Sequence, residues 1–174
     1  FGRIRAVTPP LAAGTINVTV NRVNGSSGPV SATVNTVDGT ATVAGSDYTA
    51  IAGGSVDFLD GETQKLIPIT INNDPNDEGD ENFTVVISAA TNGANIVNDT
   101  GTVTITDNDD AGTIAINPGS YTVDEDVGNA SVTVTRTGGD DGEVSVTVNT
   151  ANGVAAAPGD YTAIVGATVT FNNG

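Results

Sequence analysis

Apolar and polar residues alternate along most of this chain. Ile16, Val18 and Val20 are interleaved with Asn17, Thr19 and Asn21, and the same period of two recurs at Val30/Ala32/Val34, Val56/Phe58, Ile67/Ile69/Ile71, Phe83/Val85/Ile87 and Val103/Ile105. Side chains of an extended strand face opposite sides in turn, so each run predicts a strand with one buried face. Between the runs lie Asn24-Gly25, Asp38-Gly39, Asp60-Gly61 and Asn92-Gly93, which are expected to supply the positive φ angles of tight turns. Pro68 cannot donate to a ladder, which predicts an edge position or a bulge at that point. No window of a dozen residues keeps a helical period. Seven or so short strands, each with one apolar face, predict two antiparallel sheets packed face to face.

The pattern is also repeated. Val30-Ser-Ala-Thr-Val-Asn-Thr36 returns as Val144-Ser-Val-Thr-Val-Asn-Thr150, and Gly45-Ser-Asp-Tyr-Thr-Ala-Ile51 returns as Gly159-Asp-Tyr-Thr-Ala-Ile164. The offset is 114 in the first match and 113 from Asp47/Asp160 onward, so one loop residue is deleted between them. Val18, Val20 and Arg22 match Val132, Val134 and Arg136, while Val56 and Phe58 match Val169 and Phe171. A repeat of this length is a normal size for one β-sandwich. The expected domains are therefore residues 1–110, a complete sandwich, and residues 111–174, a second sandwich with only its first four or so strands.

Composition narrows the chemistry. Against 21 Asp and Glu stand 5 Lys and Arg, for a net charge of −16, and Cys, Met, Trp and His are all absent. Disulfides, thiol nucleophiles, Cys/His zinc sites, His-ligated haem and Ser-His or Cys-His catalysis are excluded. A surface this negative repels nucleic acid and anionic lipid, and no apolar run approaches the length of a membrane span. With aromatic residues at 4% of the chain, a glycosidase-type carboxylate pair with aromatic platforms is a poor match, so the chain is expected to be no enzyme. Tyr48 and Tyr161, at matching repeat positions, are expected to pack rather than to react. The composition suits a secreted or surface-exposed bacterial repeat protein, processed or cut from something longer. The Asn-x-Ser/Thr matches at Asn17, Asn24, Asn82, Asn98 and Asn129 follow from an Asn- and Thr-rich composition and are weak signals for glycosylation.

The carboxylates collect in loops: Asp47 before Tyr48, the run Asn73-Asp74-Pro75-Asn76-Asp77-Glu78-Gly79-Asp80-Glu81, and Asp107-Asn108-Asp109-Asp110. Alternate loops of an antiparallel sandwich share a pole, so these clusters can meet. Converging carboxylates repel unless a cation neutralises them. Calcium takes about six to eight oxygen ligands in flexible geometry, which such loops provide, whereas magnesium demands a tight octahedron. Isolated Asp-Gly pairs such as Asp38-Gly39 and Asp60-Gly61 read instead as ordinary turns.

Taken together, Asp38-Gly-Thr-Ala41, Gly45-Ser-Asp-Tyr48, Gly61-Glu-Thr-Gln-Lys65, Asn73-Asp74 with Glu78 and Asp80-Glu-Asn-Phe83, and Thr104-Ile-Thr-Asp-Asn-Asp109 resemble the Calx-beta domain family. The resemblance covers residues 14–110 in order and restarts at Gly112. It implies tandem immunoglobulin-like antiparallel β-sandwiches, all-β, that bind Ca2+ at one pole. The ligands it implies are Asp47, Asp74, Glu78, Asp107 and Asp109, with Asn73, Asn108 and Glu81 as secondary candidates. Asn73 stands where exchanger domains of the family carry Asp. The family places a Glu on its first strand; the second unit has it at Glu125, with Asp160 as a further match, whereas the first unit has Leu11 there.

The resulting expectation is a non-enzymatic calcium-binding structural or adhesive module of a secreted or cell-surface protein. Calcium would stiffen the junction at Asp107–Asp110 between neighbouring repeats. An exchanger-like calcium sensor is the alternative, and a second alternative is a polymerising filament subunit. Half a sandwich would leave Val132, Val134, Val146, Val148 and Phe171 without a facing sheet. Either the chain continues past Gly174, the favoured reading, or another copy adds a strand, with Phe1–Val7 as a candidate donor.

Overall fold

The structure, a computed structural model, describes residues 14–174. The Leu11 position and the candidate donor segment Phe1–Val7 lie outside the described residues. Ten strands and no helix are formed among them: β1 (Gly14–Asn21), β2 (Val30–Asp38), β3 (Gly54–Phe58), β4 (Gln64–Ile71), β5 (Glu81–Ser88), β6 (Thr100–Ile105), β7 (Thr113–Ile116), β8 (Val134–Thr137), β9 (Val144–Val148) and β10 (Ala167–Phe171). The chain divides into two compact units. One holds residues up to Asp74 together with Gly79–Asn108, and the other holds Pro75–Glu78 with Asp109–Gly174.

In the first unit β1 and β4 form one antiparallel sheet, and β3-β2-β5-β6 form a second. Ile16, Val18, Val20, Ile67, Ile69 and Ile71 from the first sheet are buried with Val34, Val56, Phe58, Phe83, Val85, Ile87 and Val103 from the second. These are the alternate positions of the period-two runs, so sheet-on-sheet packing follows directly from the apolar pattern. Pro68 sits opposite Asn17 in β4, whose one strand neighbour among the described residues is β1, the bridge from Tyr48 reaching only its end at Ile71. It therefore occupies an edge, where a missing N–H costs no ladder bond.

Three of the turns act as expected, with Asn24 at φ 62°, Gly61 at φ 84°, and Asn92 at φ 53° followed by Gly93 at 74°. Gly39 does not. It is absent from the positive-φ glycines, and its constraint is spatial: a Cβ there would stand 2.4 Å from the carbonyl oxygen of Asn82. Asp60 also does more than turn the chain, since its Oδ1 accepts the Gly28 N–H at 2.6 Å while the Gly61 N–H donates to the Ser26 carbonyl at 2.8 Å. An arginine braces the same region. The Arg22 guanidinium donates to the carbonyls of Ser26, Ser27 and Gly28, and its repeat partner Arg136 does likewise to Ala111, Asp141, Gly142 and Asn172.

The second unit is built of two pairs, β7 with β8 and β9 with β10. Among the described residues every buried hydrophobic belongs to the first unit. Val132 is 53% exposed, and Val134, Val146, Val148 and Phe171 are only half-buried. Their repeat partners Val18, Val20, Ala32, Val34 and Phe58 belong to, or pack against, the core of the first sandwich.

Tyr48 is 2% exposed and stacks on Phe83, with ring centroids 3.9 Å apart and planes 9° from parallel. Its O–H donates to Asp38 Oδ1 at 2.6 Å. Burial, and then the bond to Asp38, push the phenol above its ordinary pKa. The folded chain holds this proton more tightly than the unfolded chain. The associated stability is therefore fully present below the unfolded value of about 10 and is lost as pH rises through the folded one. Denaturant unfolding followed from about pH 8 to pH 11 is expected to show an alkaline loss of stability that shrinks in Tyr48→Phe. An alkaline limb of equal size in the variant would contradict this assignment.

Candidate metal centre

The acidic end of the first sandwich is built by strand register. Tyr48 bridges Ile71, the Asn72 N–H donates to the Asp47 carbonyl at 3.0 Å, and the Thr49 N–H donates to the Thr70 carbonyl at 2.9 Å. Asp47 is thereby fastened beside the end of β4, where the loop of residues 72–80 begins. That loop returns into β5 at Glu81, which pairs in register with Ile105 at the end of β6. Asp107 follows two residues later, and its N–H donates to Asp80 Oδ1 at 3.3 Å.

Within this arrangement Asp47, Glu78 and Glu81 can each offer one carboxylate oxygen, all lying within 4.8 Å of one another. Asp47 and Glu81 are half-buried and Glu78 is exposed. Two oxygens bound to one calcium ion at about 2.3–2.6 Å stand no more than about twice that distance apart, so the spacing suits a shared ion. The donors are hard oxygens, and with no His or Cys in the chain the set favours calcium over softer transition metals.

The remaining sequence candidates are placed as follows. Asp74, Asp107 and Asp109 are half-buried and stand outside the three-carboxylate group, and Asn108 is exposed. Asn73 is exposed and donates through Nδ2 to the Asp74 carbonyl at 2.9 Å. In the second unit Glu125 and Asp160 are both exposed, and neither falls in a comparable group among the described residues. Asp160 Oδ2 instead accepts the Ala156 N–H at 2.8 Å. The three described cations are engaged elsewhere: Lys65 pairs with Glu62 at 2.7 Å, and Arg22 and Arg136 bond to main-chain carbonyls.

Sequence reasoning missed the support behind Asp47. Asp38 accepts from both Tyr48 and Val43, and Asn152 accepts in the same way from Tyr161 and Ala157. The signal available was the recurrence of a short polar residue at positions 38 and 152, ahead of a tyrosine at 48 and 161.

Known proteins resemble this chain over most of its length. The Calx-beta domain family model matches residues 11–109 and again residues 107–174. Sodium/calcium exchanger 1 of Canis lupus familiaris is 38% identical over 166 residues, covering 84% of this chain and 17% of its own, and that of Cavia porcellus is 37% identical over the same shares. The chain thus spans about a sixth of the exchangers it matches. Among solved structures, the calcium binding domain CBD12 of CALX1.1 is 30% identical with a TM-score of 0.55, covering 92% of this chain and 64% of that one. The apo-form Calx CBD1 domain is 31% identical with a TM-score of 0.51, covering 55% and 84%. With adjacent family matches spanning nearly its whole length, the chain belongs to the Calx-beta domain family, as a tandem pair.

Proposed function

We propose that the chain is a non-enzymatic calcium-binding module in which Ca2+ is held at one end of the sandwich formed within residues 1–110, residues 111–174 being the second domain. Asp47, Glu78 and Glu81 form the nucleus of the site. Asp74, Asp107 and Asp109, with Asn73 and Asn108, supply further oxygens around it, and Glu125 with Asp160 would serve the second domain. The meeting of three carboxylates within 4.8 Å carries this reading, because such a group is repulsive alone and attractive around a dication.

The ion does no chemistry. It cancels repulsion among the loops after β4 and β6 and orders them. Asp107–Asp110 leads from β6 into the next repeat, so calcium stiffens the junction between neighbouring repeats of the same protein. The tandem repeat and the composition support a structural repeat of a secreted or cell-surface protein.

A second reading, a calcium sensor in a membrane transporter, is favoured by the 34–38% identity to sodium/calcium exchanger 1. Affinity separates the two. A structural extracellular module works at about 10⁻⁴–10⁻³ M calcium, whereas a sensor responds at about 10⁻⁷–10⁻⁵ M. A calorimetric titration giving a dissociation constant in the upper range supports the structural module, and one in the lower range supports the sensor.

Calcium is expected to raise the melting temperature relative to chelator. Mass action contributes about 2.7 kcal/mol at a hundredfold excess over the dissociation constant, which is several degrees for a chain of this size. Asp47→Ala is expected to remove most of the shift. Asp60→Ala is the control, since Asp60 braces the opposite end of β2: it lowers stability by about 1 kcal/mol in both conditions and leaves the calcium increment intact. Equal melting in calcium and chelator would contradict the proposal, as would loss of the increment in Asp60→Ala. For the junction, small-angle scattering is expected to show a broader distribution of dimensions in chelator than in calcium. Identical curves would count against stiffening.

A further inference from the structure

We infer that Asp38 is a positioning residue for Asp47, holding the turn that presents this carboxylate to calcium. The inference rests on the calcium reading above and adds to it a residue that resembles an ordinary Asp-Gly turn in sequence. Asp47 lies at the end of a turn that closes on itself. Its Oδ2 accepts the Thr42 N–H at 2.6 Å, its own N–H donates to the Thr42 carbonyl at 3.2 Å, and the Gly45 N–H donates to Thr42 Oγ1 at 2.9 Å. Space inside it is limited, because a Cβ on Gly45 would stand 2.8 Å from Asp47 Oδ2, and Ser46 adopts φ 73°.

What fixes this turn to the sandwich is Asp38 at the end of β2. One oxygen, Oδ1, accepts the Val43 N–H at 3.2 Å on the near side of the turn and the Tyr48 O–H at 2.6 Å on the far side. The two bonds bracket residues 44–47. Tyr48 is itself immobilised against Phe83, which pairs in register with Asp38. A rigid chain of contacts thus runs from the β2–β5 ladder through Asp38 to the turn carrying Asp47.

The second unit provides an independent instance. Asn152, the repeat partner of Asp38, accepts from Ala157 N–H at 3.0 Å and from Tyr161 O–H at 2.7 Å, both on Oδ1. The single residue deleted between the repeats falls inside the bracketed turn, which runs Ala44–Asp47 in one unit and Pro158–Asp160 in the other. The turn changed length while the bracket and the carboxylate-to-amide bond of Asp160 stayed. Asn supplies the same acceptor oxygen as Asp, so the shared requirement is the acceptor and not the charge.

Calorimetric calcium titration of the whole chain, with Asp38→Ala, Asp38→Asn and Tyr48→Phe, tests this. Removing a support of this kind typically weakens metal binding by about 10- to 100-fold, and Asp38→Ala is expected to weaken it at least about tenfold. Asp38→Asn keeps the acceptor and loses only an exposed charge that salt screens, so its affinity is expected to stay within about threefold of the unaltered chain. Tyr48→Phe keeps the stacked ring, and with it the fold, while cutting one arm of the bracket; a loss of about threefold or more is expected. Undiminished affinity in Asp38→Ala or in Tyr48→Phe would overturn the inference, as would an Asp38→Asn variant as weak as Asp38→Ala. Absence of calcium binding by the unaltered chain would instead remove the site itself, and the role of Asp38 with it.

Discussion

Like charges held close together are the constraint on which the acidic end of this molecule turns. Three carboxylate oxygens, from Asp47, Glu78 and Glu81, fall within 4.8 Å of one another on a chain of net charge −16. Asp47 and Glu81 are placed by two pairings, the isolated bridge of Tyr48 to Ile71 and the ladder pair of Glu81 with Ile105, beside an apolar core, while Glu78 comes from the loop between β4 and β5. The stability of the sandwich thus works against electrostatic repulsion at one end, and a dication reverses the sign of that term.

The opposite end of the sandwich shows the contrast. There Asp60, Ser26, Gly28 and Arg22 close the β2 and β3 turns by hydrogen bonds alone, with each donor matched to a carbonyl or a single carboxylate. One end is closed by an arginine and single carboxylate bonds, and the other gathers three carboxylates. The second unit repeats the brace and the bracket, through Arg136 and through Asn152 with Tyr161, but among the described residues it buries none of the side chains whose counterparts fill the first core. The same turn hydrogen bonds therefore recur in both repeats.

How much of this was legible depends on the range over which each feature is encoded. The strands were readable because burial on one face forces a period of two, and Val18, Ile69, Phe83 and Val85 fall on the buried face as that period requires. The acidic pole was readable from loop composition. Which carboxylates converge was not: Glu81 comes within 4.8 Å of Asp47 and Glu78 at a strand start paired in register with β6, a long-range property invisible in local spacing. Gly39 was expected to serve a positive φ, whereas it makes room for the Asn82 carbonyl across the sheet. Asp38 looked like half of a turn dipeptide because its partner Tyr48 lies ten residues away. Only the internal repeat carried a trace of that link.

The central claim is that one calcium ion sits among Asp47, Glu78 and Glu81. A crystal structure of the chain grown in calcium, with anomalous scattering used to locate the ion, tests it most directly. The account predicts an anomalous peak with an oxygen of each of these three carboxylates at about 2.3–2.6 Å. A calcium-saturated crystal with no peak at that position, or with the ion bound by a set that excludes Asp47 and Glu81, would contradict it.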